Sequence, residues 1–154
     1  MTKAGADPPA QGLADGKLAA WARLIRVGQL LVEGVEADLK AAGLPPLSWY
    51  DVLLELRRAG PEGLRPFQLQ QRMLLTQYNL SRLLDRMQRA GLVERRACAE
   101  DGRGTVTAAT AEGLALRERM WPVYRAAIRT RFADKLTERQ ADDLARLMAR
   151  LSRD

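Results

Sequence analysis

The sequence predicts a mainly α-helical fold with a small β wing: a winged helix-turn-helix reader flanked by helices forming an intertwined dimer interface. Three observations carry that expectation. Leu80, Leu83, Leu84 and Met87 recur at spacings of three and four, the period of one helical face. The chain then runs from Leu92 into two short extended legs around the turn AEDGRG, whose glycines permit tight-turn backbone angles. Helices with broad apolar stripes stand on both sides of that pair, wider than a compact reader can cover by itself.

The elements follow in order. Residues 1–16 (MTKAGADPPAQGLADG) are small and polar, broken by Pro8 and Pro9, and are expected to form a disordered tail. Residues 17–46 are assigned to a dimerisation helix, with Trp21, Leu24, Ile25, Gly28, Leu31, Val32, Val35 and Leu39 on one face. Gly43, Pro45 and Pro46 stop it. The winged unit is placed at 47–109. Ser48 with Asp51 reads as a capping box for its first helix, which turns Trp49, Val52, Leu53 and Leu56 inward. Gly60 and Pro61 end that helix, and Pro66 suits the first residue of a short supporting one.

The next helix holds the chemistry. Thr76 reads as its N-cap, ahead of Gln77, and Gly91 closes it. Opposite the apolar face lie Gln77, Tyr78, Asn79, Arg82, Arg86 and Arg89, with Ser81 on the flank. Amides and guanidinia present forked donors and acceptors that match base edges, and arginines also hold phosphates. A polar helix face by itself reads equally as a solvated surface. The hairpin decides for double-stranded DNA as partner, because a helix enters the major groove while a wing-tip arginine probes the minor groove. The hairpin legs are Leu92 to Cys98, carrying Arg95 and Arg96, and Thr105 to Ala109. Asp101 and Arg103, astride Gly102, are placed to pair and hold the arginine outward.

Residues 110–154 supply two C-terminal dimerisation helices. Thr110 caps the first, expected to reach about Ala133, with Leu114, Trp121, Tyr124 and Ile128 as its stripe and a bend at Pro122. Thr137 with Gln140 caps the second, whose stripe is Ala141, Leu144, Leu147, Met148 and Leu151.

Composition agrees. The 154 residues suit one core, and the net charge of +6 suits a polyanionic partner. Eight arginines against four carboxylates between Arg65 and Arg103 place a surplus of four charges in the reader. The chain has no histidine and one cysteine, so histidine-based relays and catalytic zinc sites fall away, and neither an enzyme nor a bound cofactor is expected. No secretory signal or membrane span is read, and the lone cysteine fits a reducing cytoplasm.

LSWYDVLLEL (47–56), LSRLLDRMQRAGLVERR (80–96), the DGR of 101–103 and the TAEG of 110–113 together resemble the MarR family of bacterial transcriptional regulators. The resemblance runs from about Leu18 to the C-terminus. It implies a homodimer joined through its terminal helices, usually a repressor, reading a pseudo-palindromic operator. It also implies that Gln77, Tyr78, Asn79 and Arg82 contact bases. The family's wing motif is Asp, any residue, Arg, usually with a second arginine between them. Asp101 and Arg103 match, and Gly102 replaces the middle arginine.

Members often answer to small aromatic or anionic ligands bound between the reader and the dimer helices. Trp21, Trp49, Tyr50, Asp51, Trp121 and Tyr124 are the corresponding candidates, each equally readable as core packing. Asp51, Arg82 and Arg95 resemble the charged positions of the urate-responsive branch. The peroxide-sensing branch carries a cysteine near the start of the first helix, and here the sole cysteine is Cys98 in the wing, beside Arg95 and Arg96. Two alternatives stay open: a redox regulator acting through Cys98, and a winged-helix protein adaptor without specific DNA binding.

Overall fold

The computed structural model describes residues 14–74, 79–98, 100 and 102–152. The chain divides into two compact units, residues 1–33 and 34–154. The boundary falls within helix α1 (Asp15–Ala41). In the first unit the described chain is helical from Asp15, two residues earlier than the expected boundary. The rest of the predicted tail, residues 1–13, lies outside the described residues. Leu18, Trp21, Ile25, Val27 and Leu30 are exposed along this stretch, Trp21 at 64%.

The second unit begins with the last turns of α1 and continues through α2 (Leu47–Ala59), a one-turn 3₁₀ helix at Gly60–Glu62, α3 (Pro66–Arg72) and α4 (Leu80–Arg89). Strands β1 (Val93–Ala97) and β2 (Thr105–Ala109), helix α5 (Ala111–Arg131), a second 3₁₀ turn at Ala133–Lys135 and α6 (Glu138–Ala149) complete it. This is the predicted helical fold with a two-stranded wing. β1 and β2 pair antiparallel, Arg95 opposite Thr107 and Ala97 opposite Thr105. Leu64 adds one rung on the other edge of β2, its N–H and carbonyl both bonded to Thr107.

One core serves the unit. Leu39 from α1, Leu53 and Leu56 from α2, Leu69 from α3, Leu83, Leu84 and Met87 from α4 and Met120 from α5 are sealed within it. Thr110 locks the entry to α5, accepting from the Gly113 N–H at 3.1 Å and donating to the Gly91 carbonyl at 2.7 Å. Gly113 must lack a side chain, because a Cβ there would stand 2.1 Å from the Leu92 carbonyl oxygen. Near the other end of α5, Arg131 grips Asp38 of α1 with two hydrogen bonds of 2.7 and 3.1 Å.

Two capping expectations are overturned. The Ser48–Asp51 box does not form, because helix α2 starts at Leu47 behind Pro46 and both side chains turn inward, each 2% exposed. The free donor at that end goes instead to Glu36 of α1, whose carboxylate accepts from the Leu47 N–H at 3.1 Å. Helix α4 starts at Leu80, three residues later than Gln77, because Asn79 is its N-cap and accepts from the Arg82 N–H at 3.3 Å. Thr76 lies outside the described residues. The Thr137–Gln140 box of α6 forms as read, Gln140 accepting from the Thr137 N–H at 2.9 Å.

Candidate nucleic-acid interface

Helix α4 is two-faced. Leu80, Leu83, Leu84 and Met87 are buried, and Ser81, Arg82, Arg86, Gln88 and Arg89 are exposed on the other side. Asn79 is exposed at the head of the helix, its amide oxygen engaged in the cap, and its amide NH₂ supplies two further donors. Gln77 and Tyr78, expected on the same face, lie outside the described residues. Gly91 follows with φ 74°, and three residues separate the end of α4 from β1.

The wing is fastened on both faces. Side chains alternate along a strand, so Arg95 and Arg96 point to opposite sides. Arg95 Nη1 meets Asp85 Oδ1 of α4 at 2.8 Å, and the arginine side chain is 30% exposed. Arg96 donates to the Pro61 carbonyl in the turn after α2 and lies 3.7 Å from Glu94. At the base of the turn, Arg65 Nη2 reaches Cys98 Sγ at 3.5 Å, and Cys98 is buried. Gly102 takes φ 62° and Arg103 is exposed beside it. Asp101, the expected partner of Arg103, lies outside the described residues. An open groove of about 720 Å³ runs between α3, α4 and the wing, bordered by Pro66, Phe67, Gln70, Asn79, Ser81 and Arg95.

The predicted ligand residues divide. Tyr50, Trp121 and Tyr124 come together across α2 and α5. Tyr50 stacks on Trp121 at 6.2 Å, and Tyr124 meets both rings edge-on at 5.0 and 6.1 Å. Trp49 is half-buried against the core, Asp51 is buried, and Trp21 belongs to the other unit. Burial, with Tyr50 and Asp51 adding to it, holds the Tyr124 phenol above its ordinary 10.0, so it stays protonated at neutral pH.

Sequence reasoning passed over three charged groups. Arg117 of α5 is buried beneath the cluster, its guanidinium 5.4 Å from the Tyr50 ring centre and its Nη2 3.4 Å from the Tyr50 hydroxyl. Its Nε has no hydrogen-bond partner among the described residues. Asp85 and the Asp38–Arg131 pair were likewise unmarked. Arg117 and the Asp38–Arg131 pair join elements far apart in sequence, Asp85 meets the next element across a turn, and periodicity along one element carries no signal of either. Among the described residues no carboxylate, thiol and imidazole groups gather into a metal site, and no helix is long and apolar enough to cross a membrane.

A recognition-type helix, its supporting helix and a pinned hairpin define a winged helix-turn-helix protein. Residues 42–104 match the sequence model of the MarR family. The whole chain is similar to solved regulators of that family. AbsC from Streptomyces coelicolor is 29% identical, with 92% of this chain and 95% of that one covered at a TM-score of 0.77. Sco3205 from the same organism, solved in complex with DNA, is 27% identical over 95% of this chain and 91% of that one, at 0.82. A MarR-family regulator from Silicibacter pomeroyi is 25% identical over 92% and 94%, at 0.68.

Proposed function

We propose that this chain is a sequence-specific DNA-binding transcriptional regulator acting as a homodimer, in which α4 reads the major groove and the wing the minor groove. The observation that carries the reading is α4 itself: four apolar residues anchor it in the core while Ser81, Arg82 and Arg86 stand exposed, as does Arg103 of the wing. An exposed arginine on an anchored helix reads guanine or clamps phosphate without loss of helix position. The DNA complex of Sco3205 supports the same use of the fold. Gln77, Tyr78 and Asn79 at the start of α4 join the base-reading set in this proposal, with Thr76 and Asp101 completing the wider interface and Arg95 supporting the wing from within.

Two readers in a symmetric dimer favour a pseudo-palindrome with half-sites roughly one helical turn apart. The terminal helices, α6 among them, are the dimerisation surface, since their apolar stripes stand exposed in one chain. Repression released by a small aromatic or anionic ligand is the mode we favour, on the strength of the Tyr50, Trp121 and Tyr124 cluster with the Arg117 guanidinium beside it. Such a ligand acts only by binding one separation of the two readers better than another.

The test is fluorescence anisotropy on the native upstream duplex beside a scrambled one, across a salt series. The expected result is preference for the native duplex with a steep salt slope. Arg82→Ala is expected to relax discrimination by about 1–3 kcal/mol if it reads a base, while an equal loss on both duplexes assigns it to phosphate. Equal binding by the wild-type protein to every duplex, even after selection from random DNA, contradicts the reading and favours a protein adaptor.

A further inference from the structure

Arg95 stands on the DNA side of the wing by sequence, yet its guanidinium is spent within the protein. Nη1 lies 2.8 Å from Asp85 Oδ1 of α4. The two residues straddle the corner where the chain turns from the recognition helix into β1. Behind the strand, Arg96 holds the Pro61 carbonyl, and Leu64 holds Thr107, the residue paired with Arg95 in the ladder. Of the described links across this corner, the Asp85–Arg95 pair is the one made by side chains of α4 and β1 on the exposed side.

A hairpin is a lever. Arg103 stands four residues beyond Thr107 along β2 and its turn, which at about 3.3 Å per residue is roughly 13 Å from the pair. A tilt of about 10° at the base moves such a tip by about 2 Å, enough to break a charge-assisted hydrogen bond to DNA. The base of the lever is therefore where the reach of the wing is set.

Resting on the DNA-reading function above, we propose that Asp85 and Arg95 are positioning residues: a strut that fixes the wing against α4, so that Arg103 and the recognition helix address neighbouring grooves together. Arg95 then adds little phosphate contact of its own. A negative charge at Asp85, on the face turned to a polyanion, opposes DNA binding by charge alone, and the strut accounts for its presence there.

Those two effects have opposite signs, which makes Asp85→Asn decisive. Removing a carboxylate from a DNA-facing helix strengthens binding if charge is all that matters. Loss of the strut weakens specific binding instead, by an expected three- to tenfold on the selected operator. Asp85 is on the surface, so the fold is not at risk, and thermal melting checks this.

Two further readouts separate positioning from contact. Arg103→Ala is expected to weaken operator binding markedly in the wild-type background and by less than twofold in Asp85→Asn. Arg95→Met is expected to leave the salt slope unchanged, whereas a lost phosphate contact lowers it by about one. Hydrogen exchange in the free protein reads the strut without DNA, and Asp85→Asn is expected to speed exchange in the Ala97–Thr105 hairpin end. Tighter operator binding by Asp85→Asn, an undiminished effect of Arg103→Ala, or unchanged hairpin exchange each overturns the proposal. A wild-type protein that distinguishes no duplex overturns the DNA-reading function itself, while faster hairpin exchange in Asp85→Asn then still shows the strut as a mechanical link.

Discussion

Helices α4 and α6 are similar objects, ten and twelve residues long, each with a clean apolar stripe and a charged opposite face. Helix α4 buries its whole stripe in the core of its own chain, whereas α6 buries no residue, leaving Leu147 57% exposed, with Leu151 just past its end at 69%. An amphipathic pattern states that a face needs cover, and it leaves open who covers it. For α4 the cover is the core of its own chain, with α3 and β1 beside it, and the exposed face is thereby aimed. For α6 the stripe is an offer to a partner, which under the proposed function is a second copy.

That difference predicts opposite responses to the same kind of substitution. Leu83→Ala, which empties a sealed position, is expected to lower unfolding stability by about 2–5 kcal/mol in chemical denaturation. Leu147→Glu with Leu151→Glu is expected to leave far-UV circular dichroism unchanged and convert a dimer to a monomer by light scattering. Operator affinity then falls about a hundredfold, roughly 2.7 kcal/mol, as one half-site contact is lost. A double variant that stays dimeric assigns the α6 stripe to some other partner.

Smaller effects test how each helix is held. Thr110→Ala removes the acceptor for Gly113 and the tie to Gly91 behind α4, and is expected to cost about 1 kcal/mol in thermal unfolding. Asp38 lies on the surface, and the Arg131 hydrogen bonds hold its carboxyl below the ordinary 3.8, against an opposing pull from desolvation. A lowered folded pKa favours the folded state above the ordinary value, and that contribution disappears as pH falls through the folded one. The stability lead of the wild-type protein over Asp38→Asn is therefore expected to be flat at neutral pH, to shrink below about pH 4, and to weaken with salt.

Much of the winged unit was legible because its determinants are local. The apolar spacing of α4, the turn residues of the wing, Pro66 at the head of α3, and the caps Thr110 and Thr137 all act within a few residues of themselves. The failures mark where local rules compete or end. Thr76 and Asn79 are both good N-caps three residues apart, and the apolar period continues through either choice, so the start of α4 was misplaced. Ser48 with Asp51 satisfies the capping pattern, but Glu36, eleven residues before Leu47, had already taken the end of α2. Within the site, Tyr50, Trp121 and Tyr124 were marked as candidates by the resemblance to the MarR family. The Asp85–Arg95 strut and the buried Arg117 were not, since the first depends on how β1 turns back past α4 and the second on how α5 packs on α2.

The most direct test of a symmetric DNA reader is selection of duplexes from a random pool by the full-length protein, followed by sequencing of what is retained. A dimer that reads with two copies of α4 enriches an inverted repeat whose half-site centres lie about 10 base pairs apart, flanked by positions sensitive to Arg103→Ala. Recovery of unrelated sequences, or of a single unrepeated element, contradicts it.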